Sequence, residues 1–266
     1  MINKKIKKNL GPIEADIVAR LTYEKITIIK ASELDRMFTL SPNDRKQLVF
    51  RLKRKKILIP IKRGIYLFSP LESGPGGTGI DELLIPPLFF PEDNYYIGYS
   101  TMFNYYGFTE QLFQTVYTLN TSKSMKKVIM GISFNFIKIP ENRLFGLEKI
   151  KIKNNYSVIS DKERTLVDLI YFNSPVGGVY PAIEIMKKII SRNECDIKKL
   201  IEYTARFPII ITRKRIGLIL DKLGINDSDL KPIIKSVKNT SVTSLGTSRK
   251  GRLIKKWKVI SDDPQA

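Results

Sequence analysis

The sequence predicts an α+β fold in two parts. Three observations carry that prediction. Helical and strand periods alternate through the first 70 residues in the order helix, strand, helix, helix, strand, strand. Residues 69–79 then hold four glycines and two prolines, a density that neither a helix nor a strand tolerates. Charge is segmented: residues 1–70 carry a net +11, residues 71–122 a net −6 with no lysine or arginine, and residues 123–266 a net +15. The reading is a small basic domain over residues 1–70, a linker or long loop over 71–80, and a larger α+β domain over 81–266. The larger domain is expected to hold a mixed or antiparallel sheet followed by a helical region.

The first domain can be justified element by element. Pro12 suits the first position of a helix through residue 23, with Ile13, Ile17, Val18 and Leu21 along one face. Residues 26–29 are a short β-branched run, and residues 31–38 form a second helix with Leu34 and Phe38 one turn apart. Ser41, Pro42 and Asp44 supply an N-cap, a first helical residue and a capping partner for a third helix running to about Lys56. Residues 57–61 and 65–68 are strands around Lys62-Arg63-Gly64, a hairpin with a basic tip. That order of elements is a winged helix-turn-helix.

The third helix sorts its residues by face. Leu48, Val49 and Leu52 share the core side, while Asn43, Gln47 and Arg54 lie opposite, flanked by Lys46 and Arg51. Asparagine and glutamine match adenine in a major groove, and arginine matches guanine or phosphate. The expectation is that Asn43, Gln47 and Arg51 reach base edges of double-stranded DNA, while Lys46, Arg54, Lys62 and Arg63 hold phosphates. Phe50 falls on the same exposed face, where it touches a thymine methyl or packs on the wing or the second domain.

In the second domain, Ser100 is expected to cap a short helix that Gly107 ends, and residues 115–120 alternate as a strand. Residues 134–139 and 149–153 alternate too. Ser160 and Glu163 have capping-box spacing, and Leu166, Leu169 and Ile170 put one face of the following helix in a core. Arg164 and Asp168 stand four apart, as an intrahelical ion pair does. Glu163, Arg164 and Asp168 read as structural rather than catalytic, because no base or metal cluster accompanies them. Amphipathic helices follow over 181–191, 196–206, 212–223 and 227–238, and residues 253–260 read as a final strand with Trp257 in the core. Residues 231–260 hold nine basic groups and no acid; of these, Arg249, Lys250 and Arg252 are expected to extend a phosphate footprint.

Composition removes whole classes of function. The chain has no histidine and one cysteine, Cys195, which excludes histidine-based triads, multi-cysteine zinc sites and an internal disulfide. No Gly-Lys-Ser/Thr follows the glycine-rich stretch, so no Walker A loop is present. No catalytic residue, metal or cofactor is assigned. No run of 18 apolar residues exists, and residues 1–9 are basic without the apolar stretch of a signal peptide, so a cytoplasmic protein with no membrane partner is expected. The net charge of +20 points to a polyanion, with nucleic acid the usual one.

Three motifs stand in register: Arg63-Gly64-Ile65-Tyr66 at the end of the winged helix, the run from Tyr106 to Gln111 after a Ser-capped helix, and the run from Glu163 to Asp168. Together they resemble the AbiEi-type antitoxins of type IV toxin–antitoxin systems. The resemblance spans residues 12 to about 190. It implies a winged helix that binds operator inverted repeats and represses its own operon. It also implies a C-terminal domain that counteracts a cognate nucleotidyltransferase toxin, in several family systems without a stable complex. Two alternatives stay open. One is a one-component regulator whose aromatic stretch over residues 95–106 lines a ligand pocket. The other is a DNA-targeted nuclease, although Glu148 and residues 149–153 do not supply the acid-then-acid-x-lysine spacing of such a site.

Overall fold

The computed structural model describes residues 10–70, 81–152 and 155–262. The fold is α+β, and the described residues divide into two compact units: the first holds the residues up to Asp81 together with Ile129–Gly131, and the second holds Glu82–Val128 and the residues from Ile132 on. The expected linker over 71–80 and the basic residues 1–9 lie outside the described residues.

The first unit runs α1 (Pro12–Tyr23), β1 (Ile28–Lys30), α2 (Ala31–Phe38), α3 (Pro42–Arg54), β2 (Leu58–Lys62) and β3 (Ile65–Phe68). The strands form one antiparallel sheet in the order β1-β3-β2. The β2–β3 hairpin is the wing, and its turn passes through Gly64 at φ +73°, where a side chain would be strained. Ile17, Leu21, Leu34, Leu48, Leu52 and Phe68 meet in the core. Ser41 caps α3 by accepting from the Asp44 N–H at 3.2 Å.

Two boundaries differ from the sequence expectation for one reason. The first strand begins at Ile28 rather than Ile26, and α3 ends at Arg54 rather than Lys56. Lys25 and Lys56 both turn left-handed, and the next N–H bonds back across the helix end, from Ile26 to the Leu21 carbonyl and from Ile57 to the Leu52 carbonyl. The chain completes the helix terminus before it can extend.

The second unit is built on a mixed six-stranded sheet in the order β6-β7-β5-β4-β9-β8. The strands are β4 (Tyr95–Gly98), β5 (Thr115–Asn120), β6 (Met125–Ile129), β7 (Ile132–Lys138), β8 (Leu147–Ile152) and β9 (Asn155–Ser160). The pairs β4–β9 and β5–β7 are parallel, and β4–β5 and β8–β9 antiparallel. Its helices are α4 (Pro86–Phe89), α5 (Ser100–Tyr105), α6 (Lys162–Tyr171), α7 (Val179–Ser191), α8 (Ile197–Arg206), α9 (Ile210–Lys222) and α10 (Asp227–Val237). A small sheet of β10 (Thr243–Ser244), β11 (Arg252–Ile254) and β12 (Val259–Ser261) closes the chain in the order β10-β12-β11.

Three local features differ from the sequence expectation. Ser100 is not the cap of α5: that position belongs to Tyr99, held at φ +54° and stacked on Phe172 at 4.3 Å. Ser160 is still paired in β9, opposite Leu147, so the chain leaves the sheet only at Asp161. Asp161 therefore caps α6 by accepting from the Arg164 N–H at 2.8 Å, and Glu163 accepts instead from the Asp196 N–H at 3.0 Å. Residues 253–260 are not one strand. Lys258 takes a left-handed φ of 52° in a turn that separates β11 from β12. Trp257 in that turn is wholly buried, and its ring Nε1 donates to Asp221 at 2.8 Å.

Candidate nucleic-acid interface

Helix α3 positions the candidate reading residues. Its buried stripe of Leu48, Val49 and Leu52 anchors it to the core, which leaves Asn43, Lys46, Gln47 and Arg54 exposed together on the far side. Phe50 shares that side at 59% exposure, and the Arg54 guanidinium lies 5.9 Å from its ring centre. The Phe50 ring thus attracts the charged head of its neighbour. Arg45 leaves the exposed set by pairing with Asp35 of α2. At the wing, Arg63 is exposed and Lys62 half-buried.

Arg51 departs from its expected role. Its Nε donates to Glu14 Oε1 at 2.9 Å, so the side chain turns toward α1 and away from the base-reading set. Lys55, one turn further along, also pairs with Glu14. Sequence reading missed this carboxylate. Glu14 sits in the first turn of α1, is 3% exposed, and also accepts from the Gly11 N–H at 3.1 Å. Burial pushes its carboxyl pKa up, but the hydrogen bonds from Lys55, Gly11 and Arg51 outweigh burial, and the net direction is down. The sequence signal was an acid at the third helical position after a glycine cap, which reads only as a local cap.

Arg249, Lys250 and Arg252 are exposed on the loop and first residue of β11 in the second unit. Their neighbour Lys256 belongs elsewhere: it pairs with Asp221 at 2.6 Å and with Asp227. The nine cations of residues 231–260 are therefore not a uniform field. Three further cations in a row underlie this region. Arg213 donates to the Phe207 carbonyl, Lys214 to the Ser241 carbonyl, and Arg215 to the Leu245 carbonyl at 2.9 Å. Burial pushes the pKa of all three down, and for Lys214 the charge of Lys258 adds to it.

The third motif folds into a buried network. Arg164 and Asp168 pair at 3.1 Å with neither side chain exposed. Tyr96 links them, accepting from Arg164 at 2.7 Å and donating to Asp168 at 3.2 Å. Glu163 and Asp161 each pair with Lys199 of α8 at 3.1 Å. These contacts tie α6 to the sheet and to α8. An open cleft of about 460 Å³ borders Tyr117 and Phe172. Of the aromatic stretch over 95–106 it is lined only by Ser100; Tyr95, Tyr96 and Tyr99 are buried, and Tyr105 and Tyr106 do not border it.

No family model matches the sequence, and no curated protein does. A solved structure does match. The crystal structure of the RV2827C protein from Mycobacterium tuberculosis superposes with a TM-score of 0.66 at 13% identity, over 96% of this chain and 92% of that one. The likeness is one of fold. Among the described residues, no helix is long and apolar enough to cross a membrane.

Proposed function

We propose that this chain is a DNA-binding antitoxin. Its first unit binds operator repeats and represses its own operon, and its second unit counteracts a nucleotidyltransferase toxin. One observation carries the DNA reading: Asn43, Lys46, Gln47 and Arg54 stand exposed together on a capped helix whose other face is locked in the core, beside a wing tipped by Arg63. Asn43 and Gln47 read bases, and Lys46, Arg54, Lys62 and Arg63 hold phosphates. Arg249, Lys250 and Arg252 extend the phosphate footprint from the second unit. The antitoxin half rests on the resemblance of three motifs to those of AbiEi-type antitoxins, and the reading assigns the chain no catalytic step.

The test is binding of the full chain to DNA taken from directly upstream of its own gene, against a random duplex of equal length. Gln47→Ala should cost about 1–3 kcal/mol on the upstream DNA and little on the random duplex. Growth rescue from a co-expressed toxin should survive the same substitution. Equal losses on both duplexes would make Gln47 a backbone contact and remove it from the reading set.

A further inference from the structure

We infer that Glu14 is a specificity-determining residue of the DNA-binding unit, an internal anion that holds Arg51 and Lys55 where phosphate would otherwise take them. This rests on the DNA reading of α3. Arg51 in the last turn of α3 and Lys55, the residue that caps its end, are four residues apart and both turn to α1, next to the exposed side that carries Gln47 and Arg54. Arg51 keeps 47% of its side chain exposed, so it is within reach of an external anion. Glu14 competes for it from a strong position. It is itself buried, and a second bond from the Gly11 N–H fixes it at the positive end of α1. A phosphate that drew both cations away would leave a buried carboxylate without a counter-charge, which is strongly unfavourable.

The consequence is a limit on sequence-independent affinity. Phosphate contacts bind every sequence alike and raise random-DNA affinity along with operator affinity. With Arg51 and Lys55 both held by Glu14 inside the unit, a larger share of the binding energy falls to Asn43 and Gln47. Glu14 touches no DNA in this scheme; it acts through the two cations.

The experiment measures the salt dependence of full-chain binding to a random duplex and to the upstream DNA, by fluorescence anisotropy. Glu14→Gln should steepen the log–log slope on random DNA by about one unit, for the released Arg51, and lower the upstream-to-random affinity ratio. Adding Arg51→Gln to Glu14→Gln should take back about one unit. A role confined to stability would lower the melting temperature and leave the slope unchanged, and that result overturns the inference. If Glu14→Gln does not fold, Arg51→Gln alone decides: the inference requires a random-DNA slope equal to that of the unsubstituted chain, and a slope flatter by about one unit overturns it. A chain with no affinity for either duplex would remove the DNA reading itself, whereas unchanged slopes on DNA that binds remove only the role of Glu14.

Discussion

At the scale of single residues, buried charge is the main structural device. Asp168 sits at the centre of the Arg164–Tyr96 network; burial pushes its carboxyl pKa up, and the charges of Arg164 and Arg143 oppose that rise without cancelling it. Asp168→Asn would leave Arg164 buried without a counter-ion. The expected loss is about 3–5 kcal/mol, measured by urea unfolding, and a loss below about 1 kcal/mol would show that water reaches the pair. Glu14 gives a pH-dependent prediction. Its folded pKa lies below the ordinary value near 4.5, so its stabilising contribution is complete above that value and is lost as pH falls through the folded pKa. The stability difference between the unsubstituted chain and Glu14→Gln should be flat above about pH 5 and shrink below about pH 4, as seen in denaturant titrations across that range. Spacing alone gives the Arg164–Asp168 pair but not the distant partners that complete either cluster. Arg164 and Asp168 announce each other at four residues, but Tyr96 lies 68 positions from Arg164, and Arg51 lies 37 positions from Glu14.

At the scale of elements, the sequence reading was closest where a helix carries its own start and stop signals. Helix α2 spans the expected residues, and α3 starts at Pro42 behind the Ser41 cap. It was least accurate where a terminus depends on a neighbouring strand, as at Ser160, or where a turn interrupts an apolar run, as at Lys258. The turn before β12 is fixed by packing. The Trp257 ring lies against Gly217 of α9, where an added Cβ would come within 2.2 Å of a ring carbon. Gly217→Ala should therefore displace the ring and cost about 1–3 kcal/mol. Trp257 is the sole tryptophan, so its fluorescence reports the displacement directly. An unshifted emission spectrum with unchanged stability would mean that α9 accommodates the methyl group by moving as a whole.

At the scale of the whole molecule, charge is divided between the units. The first unit exposes cations on α3 and the wing, and the second exposes Arg249, Lys250 and Arg252. Replacing those three with glutamate should flatten the salt dependence of upstream-DNA binding by up to about three slope units and leave toxin rescue intact. An unchanged slope with lost rescue would instead place them on the antitoxin surface. By itself, the sequence determined the α+β class, the order of elements in the first unit and the exposed polar side of α3. These follow from local periodicity, caps and turn residues, which act over a few positions. Only the tertiary structure decided which cations remain available to an external anion. Arg51, Lys55 and Lys256 find carboxylates on other elements, while Arg213, Lys214 and Arg215 turn to backbone carbonyls. The reason is that an ion pair forms wherever folding brings two charges within a few ångströms, and no periodicity along the chain encodes that distance.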